Sequence, residues 1–179
     1  MDYKTIANDG IVEEEIKKSR FICHLKRISN EEEGREYIAQ IKKEHHKANH
    51  SCSAMIVGDD GQIKRSSDDG EPSGTAGVPM LTVLEKQGLT NVVAVVTRYF
   101  GGIKLGTSGL IVAYKAAAAE AIAAATIIEK TVDEDVTVMF EYPFMNDVMR
   151  IVKEEEPEIL NQSYDMDCSM TLRIRRSMM

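Results

Sequence analysis

The 179-residue chain has no apolar run near the roughly 20 residues needed to span a bilayer, and its longest, around Val92–Val96, is strand-sized. Its first residues, MDYKTIANDG, lack a basic stretch followed by an apolar one. No signal peptide and no membrane contact are therefore expected, and the expected compartment is the cytosol. Cysteine is scarce: Cys23, Cys52 and Cys168 are far apart and form no CxxC pair. That favours reduced thiols over a disulfide framework. Complete phosphate-loop and dinucleotide fingerprints are missing, as are a GxSxG elbow and calcium-loop acid spacing. Excess positive charge is missing too, since the net charge is −7. A bulk, sequence-blind nucleic-acid coat is thereby excluded. Charge is uneven, however. Residues 61–110 carry five Lys/Arg against four Asp/Glu, net +1, which leaves −8 for the rest. The glycine-rich middle is thus better poised for an anionic partner than the average suggests.

What is present reads as an α+β protein. Arg20–Arg27 alternates, with Phe21, Cys23 and Leu25 on one side, and predicts a strand. Ser29–Lys47 predicts a helix, with Ser29 and Glu32 forming a capping box and Glu31–Glu33 at the positive end of the dipole. Cys52–Val57 and Gln62–Ser66 predict two strands joined at Gly58–Gly61. Val78–Gln87 predicts a short helix closed by Gly88. Asn91–Thr97 is continuously apolar and β-branched, hence a strand covered on both faces. Ser108 to about Thr126, with its AAAAEAIAAA core, predicts a close-packing helix. Composition shifts near Lys130–Asp135, and the expected domains are 1–133 and 134–179. In the second, Asp135–Glu141 is a strand. A helix from Pro143 to Pro157 buries Phe144, Val148, Ile151 and Val152, and strands follow at Ile159–Asp165 and Cys168–Arg175.

Five constellations could carry chemistry. RSSDDGEPSGTAGVP, Arg65–Pro79, packs three acids, three glycines, three serines and two prolines into fifteen residues. Asp68, Asp69 and Glu71 are hard oxygen ligands, but Asp69-Gly70 and Glu71-Pro72 equally mark turns, and such loops brace themselves. No resident metal is expected. Gly101, Gly102, Gly106 and Gly109 lead from a strand into a helix, where free N–H groups suit an anion; Arg98, Lys104, Thr107 and Ser108 add charge and hydroxyls. The alternative is that glycine merely permits a tight connection. His45, His46, His50 and Cys52 offer zinc-type ligands at unfamiliar spacing, and dipole interaction explains the histidines as well. Cys52 with His50 two residues away on a strand is a nucleophile arrangement lacking an orienting third group. Arg98-Tyr99-Phe100, with Lys64-Arg65 and KKSR (Lys17–Arg20), joins cations to aromatics, as single-stranded RNA or a protein partner would require. Tyr99 and Phe100 serve equally well to close the core.

RSSDDGEPSGTAGVPML followed by VVTRYFGGIKLGTSGLIVAY, with KKSRFI upstream, closely resembles the YigZ/IMPACT family. The resemblance spans about residues 15–125. It implies an N-terminal domain like the second domain of ribosomal protein S5 and a ferredoxin-like β-α-β-β C-terminal module, incomplete as the chain stands. It also implies a translation-linked setting, since the eukaryotic branch is named for a regulator of translational control. The family pattern falls on Lys17, Ser19, Arg20 and Phe21. It continues on Arg65, Ser67, Asp68, Asp69, Gly70, Glu71, Pro72, Ser73, Gly74, Thr75, Ala76 and Gly77, and on Arg98 through Gly102 and Lys104 through Gly106. Val112 departs from it, standing where many members carry a basic residue.

The expected function is therefore binding to RNA, a ribosomal surface or a translation factor. Lys64, Arg65, Arg98 and Lys104 would contact phosphates, Tyr99 or Phe100 would stack, and the three acids would brace the cations. The resemblance implies no cofactor, and catalysis is the less favoured reading. Two alternatives stand. One is an enzyme on a phosphorylated small molecule, with Gly106–Ser108 on phosphate and Asp68 or Asp69 on Mg²⁺. The other is a protein-interaction module without nucleic acid, using Arg173 and Arg175 on one strand face. The acidic loop and the glycine loop are expected to meet in space.

Overall fold

A strand buried on both faces must lie mid-sheet between helical layers, and that is where Val92–Tyr99 sits. The structure, a computed structural model, describes residues 2–131, 133–140, 145–155, 158–164 and 168–175. It separates into two units, residues 3–130 and a smaller unit from 131 onward that also takes in Asp2. The fold class is α+β, as expected.

In the larger unit, apart from the end residues Asp2 and Thr131, the strands are β1 (Asp2–Ile6), β2 (Gly10–Ile16), β3 (Ser19–Arg27), β4 (His50–Val57), β5 (Ile63–Ser67), β6 (Val92–Tyr99) and β7 (Ile127–Thr131). The helices are α1 (Glu31–Glu44), α2 (Gly77–Lys86) and α3 (Gly106–Ala124). Five strands form one antiparallel sheet in the order β2-β3-β6-β4-β5, and β1 pairs with β7 separately. One face of the large sheet buries Phe21, Cys23, Leu25, Cys52, Ala54, Ile56, Val92, Ala94 and Val96 against α2 and α3. The other places Met55, Val57, Val93 and Val95 under α1. Alanine on α3 matters here. Ala113, Ala117, Ala118 and Ala121 are all buried, so the helix lies close to the sheet without long side chains.

Several boundaries differ from expectation. The α1 cap is Asn30, not Ser29: Asn30 Oδ1 accepts from Glu33 N at 2.8 Å, while Glu33 Oε2 accepts from Ser29 N at 2.9 Å. Asn30 thus caps Glu33, while Glu33 reaches back one residue beyond the cap, to Ser29. The helix ends at Glu44 with His45 as its C-cap, so Lys47 lies outside it. α3 starts at Gly106, two residues before Ser108. β1, β2 and β7 come in addition to the strands read from the sequence.

The smaller unit runs β8 (Asp133–Phe140), α4 (Met145–Glu155), β9 (Glu158–Tyr164) and β10 (Cys168–Arg175), with strand order β8-β10-β9. Both pairings are antiparallel. Glu141, Pro143, Phe144, Pro157 and Asp165, on which the sequence reading leaned, lie outside the described residues. Ile151 of the expected buried face is 53% exposed. Among the described residues, no helix is long and apolar enough to cross a membrane.

Candidate functional site

The acidic loop is organised by Asp68. Its Oδ2 accepts from Gly74 N at 2.9 Å, and its Oδ1 accepts from Ala76 N at 3.1 Å and Gly77 N at 2.9 Å. Burial pushes its pKa up, but the three backbone N–H groups outweigh that and hold the carboxyl below its ordinary value. Asp69 turns the chain in the left-handed region (φ 42°) just before Gly70 (φ 88°). Its Oδ2 accepts from Ser51 N at 2.7 Å, and Lys42 Nζ lies 3.1 Å from Oδ1. Thr75 is buried and donates its hydroxyl to the Pro72 carbonyl at 2.6 Å. These bonds engage both aspartates within the protein. Among the described residues no group of three His, Cys, Asp or Glu is arranged to hold a metal.

That bracing aims Glu71 inward, where its side chain is only 3% exposed. Arg98 Nη1 donates to both its oxygens, at 3.0 and 2.8 Å, and Tyr114 donates its hydroxyl to Oε2 at 2.5 Å. His50 Nε2 stands 3.2 Å from Oε1, while His50 Nδ1 is 2.8 Å from the Asp69 carbonyl. Both ring nitrogens therefore face oxygen atoms of the acidic loop. Burial, then the neighbouring Cys52 and Glu71, push the Tyr114 phenol far up, so it stays a donor. The acidic loop and the RYFGG segment therefore meet at one buried ion pair.

Arg98, expected at a phosphate, is held inside the fold. It is 6% exposed, committed to Glu71, and flanked by the Phe21 and Phe100 rings at 5.6 and 5.4 Å. Tyr99 is likewise occupied: its hydroxyl bonds His45 Nδ1 at 2.7 Å, and the Arg20 guanidinium lies 5.1 Å from its ring centre. Phe100 stays 44% exposed. Lys64 and Arg65 sit on exposed β5, facing Glu85 at 3.7 Å and Glu31 at 2.7 Å, and line no part of the cleft described below. Arg20 pairs with Glu13 at 2.5 Å. Ser67 accepts from Asp69 N at 3.2 Å, a bond internal to the loop, and Ser73 is exposed on it.

The glycine segment is fixed from two sides. Asn49 Oδ1 accepts from Phe100 N at 2.8 Å, and Ser19 Oγ accepts from Gly101 N at 3.4 Å. A Cβ on Gly101 would lie 1.9 Å from the Lys18 carbonyl oxygen, so this position takes only glycine. The Lys17-Lys18 turn it packs against holds both lysines at positive φ, 46° and 66°. Gly102 and Gly106 also have positive φ. α3 then begins without a side-chain cap and with no acid in its first turn. Gly106, Thr107 and Ser108 are exposed there.

A cleft of about 380 Å³ joins these parts, lined by Glu71, Arg98 and His50 together with Lys104, Gly106 and Thr107. Phe100 and Leu110 supply apolar wall. Cys52 is fully buried, burial pushes its thiol up to about 12, and it donates to the Asp68 carbonyl at 3.0 Å. Sequence reasoning passed over Asn49 and Tyr114 as site residues. The usable signal for Tyr114 was its spacing, four residues after Leu110 and eight after Gly106 on one helix face.

The Impact N-terminal domain family matches residues 17–122, which contain both loops. The IMPACT family member YvyE of Bacillus subtilis is 46% identical over 154 residues, 86% of this chain and 71% of the relative. The IMPACT family member YigZ of Escherichia coli is 40% identical over 155 residues, 86% and 76% of the two chains. A crystal structure of a hypothetical protein aligns at 35% identity with a TM-score of 0.74, covering 98% of this chain and 86% of the other.

Proposed function

This chain belongs to the IMPACT family, and from that premise we propose that it is a translation-linked binding protein that docks on RNA. The observation that carries the reading is a set of unsatisfied cations beside an exposed ring. Most basic side chains around the site have a carboxylate: Arg20 has Glu13, Lys42 has Asp69, Lys64 has Glu85, Arg65 has Glu31 and Arg98 has Glu71. Lys17, Lys18 and Lys104 have none among the described residues and are exposed. They share one face: Gly101 packs on Lys18, and Lys17 shares a groove with Leu105, the neighbour of Lys104. Phe100 and Ile103, 44% and 41% exposed, lie between them in the chain. Cations meet phosphates and an exposed aromatic stacks on an unpaired base. In a chain of net charge −7, such a face concentrates contact with a polyanion at one place. The translational setting comes from the family rather than from the site.

Fluorescence anisotropy with a short single-stranded RNA at low salt tests this. The wild-type chain binds, and Lys17→Ala/Lys18→Ala/Lys104→Ala binds at least about tenfold more weakly. Equal binding by both proteins removes the RNA reading.

A further inference from the structure

The rim lysines account for a polyanion but not for the cleft behind them. Three observations on that cleft converge. First, Arg98 lines it and is 6% exposed, yet its Nε–H has no partner, since Glu71 engages only Nη1. A buried, unsatisfied guanidinium N–H beside a cleft calls for an acceptor. Second, Lys104 and Thr107 line the same cleft, neither engaged by another side chain among the described residues. Third, the 19-residue α3 opens into the same space with no side-chain cap and no acid in its first turn. Its first N–H groups lack intrahelical partners, and its dipole favours negative charge. Glu71 cancels one of the two cations Arg98 and Lys104. The helix end adds to the cation that remains.

We propose that this cleft is a pocket for a phosphate monoester. The class follows from the shape. The Arg98 Nε–H is itself buried, so an acceptor reaches it only as the tip of a group entering the cleft that Phe100 and Lys104 also line. A terminal phosphate, with three free oxygens and up to two charges, does this. An internal phosphodiester has chain on both sides and lies along a surface. Lys104 Nζ, Thr107 Oγ1, the first α3 amides and Arg98 Nε–H are the donors, and Phe100 takes the attached ring. A mononucleotide and the 5′-phosphorylated end of an RNA present the same chemistry. The pocket deepens the RNA reading, on which it rests only for the source of the phosphate.

The test uses the full chain. Inorganic phosphate is titrated while backbone amides are followed by ¹H–¹⁵N NMR. The amides of Thr107 and Ser108 shift saturably, and Lys104→Ala weakens the binding about tenfold, the loss expected for one charge-assisted contact. Thr107→Val weakens it less and leaves the fold untouched. In anisotropy, a 5′-phosphorylated RNA binds several-fold more tightly than its 5′-hydroxyl counterpart. If adenosine monophosphate competes as well as the phosphorylated RNA, the source is a mononucleotide and the pocket stands. Phosphate that moves no α3 amide, or only the Lys17-Lys18 turn, overturns the pocket. RNA bound equally with or without a 5′-phosphate, and no α3 shifts with phosphate, overturns it while leaving the RNA reading intact. Neither RNA bound, with α3 amides shifted by phosphate, supports the pocket and removes the RNA reading.

Discussion

Replacing Glu71 by Gln keeps the shape of the buried network and removes its only negative charge. Arg98 then remains 6% exposed with no counter-ion, and Tyr114 donates to a neutral oxygen or to nothing. Leaving one member of a buried pair unpaired costs about 3–5 kcal/mol. For a domain of this size that corresponds to a fall in Tm of roughly 10–20 °C. Removing both charges is different in kind. Glu71→Gln/Arg98→Met leaves no buried ion, and a hydrophobic replacement of a buried pair is often close to neutral. The assay is urea denaturation of the wild type, each single variant and the double variant. A coupling of at least about 2 kcal/mol is expected, with the double variant more stable than Glu71→Gln alone. Additive losses, or a Glu71→Gln cost below about 1 kcal/mol, would refute the claim that this pair organises the site.

Three other outcomes follow from single positions. Gly101→Ala forces a Cβ onto the Lys18 backbone and costs about 1–3 kcal/mol by thermal denaturation, unlike Ala at open Gly10. Replacing Lys17-Lys18 by Asn-Gly removes two lysines from the left-handed region and stabilises the chain by about 1–2 kcal/mol, while RNA binding in anisotropy weakens. His24 is 2% exposed with neither ring nitrogen bonded; burial, then His45, against an opposing Glu44, lower its pKa to about 4. Its folded value lies below its unfolded one, so its contribution is full above about pH 6.5 and is lost as pH falls towards 4, up to about 3 kcal/mol. Urea denaturation across that range shows the loss, and His24→Leu flattens it.

What the sequence made legible follows how local each signal is. β6 was readable because burial on both faces leaves an uninterrupted Val-rich run. α3 was readable because alanine combines high propensity with close packing. β2 was not, because this edge strand buries neither face completely and places Glu14 among its half-buried residues. β1 and β7 are five-residue pieces paired across more than a hundred residues, and nothing local announces such a partner. The meeting of the two loops was legible from the family resemblance, but the role of Arg98 was not. An arginine at a strand end reads as solvated until Glu71, 27 residues earlier, is brought to it inside the fold. The same reversal holds for Asp68, whose acidity reads as a ligand signal and whose oxygens go to three backbone amides.

The central claim is that Lys17, Lys18 and Lys104 form a phosphate-contacting face, and the salt dependence of RNA binding tests it most directly. The affinity of the wild type and of Lys17→Ala/Lys18→Ala/Lys104→Ala for one single-stranded RNA is measured at several salt concentrations. The account predicts that the slope of log affinity against log salt is shallower in the variant by about 2, near 0.7 for each phosphate contact removed. A variant with the wild-type slope and affinity would place the RNA elsewhere and contradict it.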